Sequence, residues 1–307
     1  MPPRSPLPQR NGLDAAWLRT PDRNPAWPEP WPHMGAWLHE RLSEHIDVPD
    51  FLNQGRIVYE SGEPARWGDD YRSHTFVWFH RDLSEEKVVP GQIHVVHRDE
   101  RIVVIDKPAF LSSIPRGKHV QQSVVVRLRA ELGLPELSPL HRLDRVTSGL
   151  LVLATEKRWR AAYQTMFQRG EIDKGYRALA PDRPELAEAV TVRNHLAKER
   201  GKLQAEVVPG APVNAESRIE REAVLGDSAV YRLTPKTGRT HQLRMHMLGL
   251  GAPIDGDPLY PVVRGVGVDD FSTPLQLLAS DVVFTDPIDG GARRFASVRT
   301  LPLYSEA

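Results

Sequence analysis

The run His141-Arg142-Leu143-Asp144-Arg145 places one carboxylate between two arginines, a few residues before the wholly apolar stretch 150–154. Each guanidinium favours the ionised carboxylate. The apolar stretch reads as a buried strand with Gly149 at its head. The spacing therefore predicts an ionised acid on a tight turn at the lip of a sheet, a position that suits a nucleophile or a base. A lone R-x-D-R is more often a structural ion pair at a strand entrance, because such pairs also perturb acids.

Around this turn the periodicity predicts strands at 93–97, 101–105, 149–154, 175–179, 229–234 and 281–284, and helices at 121–132, 157–169 and 240–249. The helix at 157–169 lines up Trp159, Tyr163, Met166 and Phe167, most simply as core packing. The helix at 240–249 opens at Thr240, a competent N-cap, buries Leu243, Met247 and Leu250, and carries Arg244 on its first turn. Residues 1–36 hold nine of the 27 prolines and three of the seven tryptophans. Proline at that density excludes a helix or a central strand, so this part reads as an extended arm. Its Trp17, Trp27 and Trp31 are too apolar for a free tail. Residues 37–90 read as a small module: a helix at 37–46 ended by Pro49 and Gly55, then strands at 56–60 and 75–79.

The 307 residues suffice for one large or two small domains. Cysteine is absent, which removes disulfides, thiolate metal sites and cysteine nucleophiles together. No apolar run reaches 18 residues and no secretory h-region opens the chain, so the expected location is the cytoplasm. Net charge is zero, with 40 basic and 40 acidic residues. Locally the balance differs. Residues 141–177 carry eight Lys/Arg against four acids, and residues 116–129 and 231–246 carry four each against none. Clustered positive charge is what phosphate binding requires.

Four segments, in order, resemble the RluA-type pseudouridine synthases. They are Ile102-Val103-Val104-Ile105-Asp106-Lys107-Pro108, the run from His141 to Ala154, Lys174-Gly175-Tyr176-Arg177-Ala178, and Thr237-Gly238-Arg239-Thr240-His241-Gln242-Leu243-Arg244-Met245-His246 followed by Gly256-Asp257-Pro258-Leu259-Tyr260. The resemblance as a whole covers about residues 91–305. The resemblance implies an α+β fold: a mixed, largely antiparallel sheet with flanking helices and a central RNA cleft. Residues 37–90 loosely resemble the small αL-type RNA-binding module often placed before that domain.

The reaction so implied breaks the N1–C1′ bond of a uridine in ribosomal or transfer RNA and rejoins the uracil through C5. Nothing is oxidised or hydrolysed in net terms, so no metal and no redox cofactor is expected, nor any membrane or obligate protein partner. By resemblance, Asp144 is the acid at the sugar, Tyr176 stacks on the extruded base, and Arg244 pairs with Asp144. Arg142 occupies the gap left by the extruded nucleotide, since flipping costs a few kcal/mol of unstacking. Lys174, Arg239 and His241 are the candidates for RNA backbone contacts. Whether Asp144 attacks C1′ or removes the C2′ proton stays open. His241 and His246 imitate a zincin helix, but at a spacing of five and with Gln after the first His. Where the family usually has Gly after Lys-Pro, this chain has Phe110, and its usual Leu-His-Ala is Leu277-Leu278-Ala279. A non-catalytic RNA-binding or ribosome-assembly factor that keeps the fold is the alternative. Intact Asp144, Tyr176 and Arg244 argue against it. A glycosidase would need two facing carboxylates, and the motifs show no second acid.

Overall fold

The computed structural model describes residues 2–22 and 31–304. The chain divides into two compact units, Met1–Glu85 and Glu86–Ala307.

In the first unit, strand β1 (Ala16–Arg19) is followed by helices α1 (Met34–Leu42) and α2 (Val48–Asn53) and strands β2 (Ile57–Tyr59) and β3 (Phe76–Phe79). The three strands form an antiparallel sheet in the order β1-β3-β2. Residues 1–36 are thus not an arm throughout: 16–19 pair with β3, and Trp31 is buried among Met34, Trp37 and Leu38. Trp17 is exposed, and Trp27 lies outside the described residues. Alternating burial along Ala16–Arg19 is a strand signal that the proline count on either side masks. The helix expected over 37–46 is α1, which ends at Leu42, and a second helix, α2, stands where Pro49 was expected to end the first. The Asp47 carboxylate accepts the Asp50 N–H at 3.0 Å and opens α2, so Pro49 falls in a first turn, where its missing N–H costs nothing.

The second unit runs β4 (His94–Arg98), β5 (Ile102–Lys107), α3 (Val124–Leu132), β6 (Ser138–Pro139), β7 (Ser148–Ala154), α4 (Lys157–Arg169), β8 (Ile172–Pro181) and a 3₁₀ turn. It continues through β9 (Val190–Asn194), the short pair β10 (Leu196–Ala197) and β11 (Glu206–Val207), β12 (Ala215–Leu225), β13 (Ser228–Pro235), α5 (Gln242–Gly249), β14 (Leu277–Thr285) and β15 (Ala292–Ala296). The main sheet has the order β4-β5-β7-β14-β8-β13-β12-β9, with β15 on β14 and β6 on β7. Among the described strands only the β14–β7 pairing is parallel. This is the mixed, largely antiparallel sheet that the motifs imply.

The apolar run of β7 has no alternation because both of its faces are covered. Leu151 and Leu153 pack with α3 and α5 residues such as Leu128 and Met247, whereas Leu150, Val152 and Ala154 pack with Tyr163 and Met166 of α4. Gly149, with φ +108°, lies so close to β14 that a Cβ there would sit 2.3 Å from the Ala279 carbonyl. Only glycine fits both the backbone angle and the space. Gly175 plays a similar part on β8: a Cβ would strike the Arg232–Asp281 ion pair that crosses it.

Candidate active site

Asp144 sits in the turn that feeds β7, with its side chain about one-third exposed. Its backbone is pinned on both sides. Ser113 Oγ donates to the Leu143 carbonyl at 2.9 Å and accepts the Leu143 N–H at 3.2 Å. Lys107 Nζ, fully buried at the end of β5, donates to the carbonyls of Pro108 (2.9 Å), Leu111 (2.8 Å) and Arg145 (3.2 Å). Burial pulls this ammonium down to about 7, against the favourable charge of Asp144. The three carbonyls match the three N–H groups of the ammonium.

The other residues of the turn each have one task. His141 Nε2 accepts the Val152 N–H at 3.1 Å and its ring stacks on Phe167 at 4.7 Å. Burial lowers its pKa to about 3, which keeps the imidazole neutral and able to accept. Arg145 lays its guanidinium over the Phe110 ring at 5.8 Å and donates to the Val268 carbonyl at 3.2 Å. Arg142 is exposed. Neither flanking arginine pairs with Asp144 among the described residues, contrary to the expectation from R-x-D-R.

The cation on Asp144 comes from a hundred residues away. Arg244 Nη1 lies 3.4 Å from Asp144 Oδ2, and His241 Nε2 lies 3.9 Å from the same oxygen. Arg244 is almost fully buried on the first turn of α5. Burial opposes its charge, but the hydrogen bonds and charge of Asp257 outweigh it, and Asp144 adds to the gain, so its pKa is raised. Helix α5 does not open as expected. Thr240 is exposed, and His241, at φ +59°, is the residue preceding Gln242. The loop is tied instead by the Gln242 side chain, which accepts from Thr237 Oγ1 (2.7 Å) and the Arg239 N–H (3.0 Å) and donates to the Glu216 carbonyl (3.0 Å) and Ser217 Oγ (2.9 Å). With those groups already held, a threonine cap has no role, and His241 is turned inward toward Asp144.

Tyr176 lies half-buried on β8, opposite Leu233 of β13 and Ala279 of β14. Its phenol pKa is raised, first by burial and then by the Asp144 charge. A phenol kept neutral by burial can donate or relay a proton. Tyr176→Phe is expected to keep RNA affinity while slowing product formation about 100-fold. Normal turnover by Tyr176→Phe, with failure of Tyr176→Ala, would reduce the residue to a stacking platform.

Of the expected RNA contacts, Lys174 is half-buried with its amine facing Gly238, and burial lowers its pKa. Arg239 is exposed, and its Nε donates to the Asn214 carbonyl at 3.1 Å. His241, only 11% exposed, has its Nε2 3.9 Å from Asp144 Oδ2. Its Nδ1 is 2.9 Å from the Tyr260 hydroxyl, whereas His246 is buried with Nε2 3.1 Å from Asn194 Oδ1. The two imidazoles therefore serve different partners, and no cluster of three or more metal-ligating side chains occurs among the described residues. Phe110, standing where the family usually has Gly, has φ +66°. The turn keeps the left-handed conformation that Gly adopts freely, and packing against Phe271 and Arg145 holds it there. Lys107, Asp257 and Tyr260 are the site residues that sequence reasoning left without a role. Each stands inside a quoted motif, and a lysine ending an apolar strand was the available signal.

Comparison with known proteins agrees with this geometry. A family model described as RNA pseudouridylate synthase matches residues 101–248. The chain is 32% identical over 204 residues to the dual-specificity RNA pseudouridine synthase RluA of Salmonella typhi, covering 66% of this chain and 90% of that one. It is 32% identical over 230 residues to RNA pseudouridine synthase 7 of rice, of which it spans 56%. The fold aligns with human RNA pseudouridylate synthase domain containing 4 at a TM-score of 0.52 and 25% identity, covering 68% of this chain and 88% of that one. Human domain containing 1 aligns at 0.55 and 21% identity, covering 71% and 94%. The chain, with Asp144 faced by Arg244 and His241, belongs to the RluA-type pseudouridine synthases, isomerases that convert uridine in RNA to pseudouridine.

Proposed function

We propose that this protein isomerises a uridine in a compact stem-loop of ribosomal or transfer RNA, in the cytoplasm, with Asp144 as the acid at the sugar and no cofactor. The observation that carries the reading is the open edge of Asp144: one carboxylate, one-third exposed, with a buried guanidinium behind it. The target base stacks on Tyr176, and Arg142 fills the gap that it leaves. Lys174 and Arg239 contact the flanking backbone. His241 acts at the target nucleotide, given its place beside Asp144. Extrusion is cheapest from a loop, and unstacked loop bases are what proteins read by edge and stacking contacts.

Two measurements test this. Pseudouridine mapping in a strain lacking the gene should lose signal at one or a few loop uridines of ribosomal or transfer RNA. Unchanged maps there, or losses confined to other RNA, would overturn the target. In addition, a fragment of the second unit should modify a short transcript of the lost site, with affinity falling steeply with salt because basic contacts release counterions. That fragment must begin before Glu86, since the Glu86 carboxylate accepts the N–H groups of Val120, Gln121 and Gln122 at 2.8–3.0 Å. A drop of more than about 100-fold in kcat/KM, with the fragment folded, would assign recognition to residues 1–85.

A further inference from the structure

The segment Gly256-Asp257-Pro258-Leu259-Tyr260 lies directly behind the pair formed by Asp144 and Arg244. Asp257 is 1% exposed. Its Oδ2 accepts Arg244 Nε at 2.7 Å and its Oδ1 accepts Arg244 Nη2 at 2.6 Å. The same Oδ1 accepts the N–H groups of Leu259 (2.8 Å) and Tyr260 (3.1 Å). The Tyr260 ring lies 5.0 Å from the guanidinium carbon. The turn is itself immobilised: Gly256 has φ +73°, and a Cβ there would sit 2.3 Å from the Pro274 carbonyl.

A guanidinium and a carboxylate left to themselves prefer a two-point fork. Here Asp257 takes that fork. Arg244 is left to face Asp144 with Nη1 alone, at 3.4 Å, longer than a charge-assisted hydrogen bond of ordinary length. We propose that Asp257 is a positioning residue of the reaction: by holding the Nε–Nη2 edge of Arg244 it orients the guanidinium so that the pairing with Asp144 is one loose Nη1 contact, and the Asp144 carboxylate keeps an oxygen open to the sugar. Arg244 then supplies nearby positive charge without locking the acid it serves. The role rests on the reading of Asp144 as the catalytic acid.

Asp257→Asn in the full-length protein separates this role from the turn. The asparagine oxygen keeps the Leu259 and Tyr260 N–H groups, while its amide presents donors to the Arg244 Nε–H. The expected result is a fall in kcat of about 30–100-fold with KM and RNA affinity within about threefold, at a melting temperature that shows the protein folded. In an Arg244→Lys background, which cannot form the fork, the same substitution should lower kcat by less than about threefold further. Losses that multiply independently, a loss confined to KM, or an unchanged kcat would each overturn the proposal. A readout on the unsubstituted protein stands apart from activity and from folding of the variant. The Arg244 Nε–H resonance, identified by its disappearance in Arg244→Lys, should be slow to exchange with water, and exchange as fast as in free arginine would overturn the proposal. Undiminished turnover by Asp144→Asn would remove the reading of Asp144 while leaving the Arg244 resonance unaltered, so the two failures are distinguishable.

Discussion

Asp144→Asn is expected to abolish pseudouridine formation, with the rate falling by about 10³-fold or more, while RNA affinity changes no more than a few-fold. The amide is isosteric and can still face Arg244 and His241, which lie 3.4 and 3.9 Å from Oδ2. The loop should hold, because its anchors are Ser113 and Lys107, which grip the backbone and not the carboxylate. What disappears is the negative charge and its lone pairs at the sugar, and both routes open to the acid need them. The measurement is single-turnover formation of pseudouridine on a substrate transcript, beside a binding isotherm for the same RNA. More than a few per cent of the wild-type rate would remove Asp144 from the chemistry.

Lys107→Met is expected to damage stability and turnover together. The methionine fills much of the fully buried lysine's space but donates nothing, so the carbonyls of Pro108, Leu111 and Arg145 each lose a donor. An unsatisfied buried carbonyl costs about 1–3 kcal/mol, so the second unit should lose about 3 kcal/mol or more in urea unfolding. The turnover number should fall as well, because the Arg145 carbonyl adjoins Asp144 and the turn loses one of its two clamps. There is a pH signature. Burial makes the folded chain release this proton near 7, whereas the unfolded lysine keeps it to about 10.5. Between those values the unfolded state binds more protons, so the wild-type protein gains stability from this group as pH rises through that window. Below about 7 both states are protonated and the cost of burying the charge is fully present. Lys107→Met should lose that rising contribution. An unfolding midpoint and pH slope like those of the wild type would show that the three hydrogen bonds contribute little.

The chemistry-bearing residue types and the strands that carry them are local properties, and they were legible. A doubly covered strand has to be apolar throughout, which is why 150–154 could be recognised. A helix over Lys157–Arg169 followed from Trp159, Tyr163 and Met166 falling on one side. The long strand Ala215–Leu225 escaped detection because its outer half is exposed and its sequence, AESRIEREAVL, is mostly polar. Short-range patterning identifies a strand by what it buries, and this one buries only Ala215, Ser217 and Ile219.

By itself the sequence determined that one acid stands on a tight turn before a buried strand, that an aromatic and an arginine belong with it, and which family of enzymes has those motifs in that order. Only the tertiary structure decided which charges meet. Asp144 is paired with neither of its neighbours in the chain. The turn points Arg145 toward Phe110 and Val268 and leaves Arg142 exposed, while Arg244 approaches from α5. The reason is that adjacent side chains on a tight turn diverge, whereas the fold can carry a distant helix to the open side of the carboxylate. The roles of Lys107 and Asp257 share that origin. Their partners are backbone carbonyls and a guanidinium, and only the folded chain brings these to the buried lysine and carboxylate that bind them.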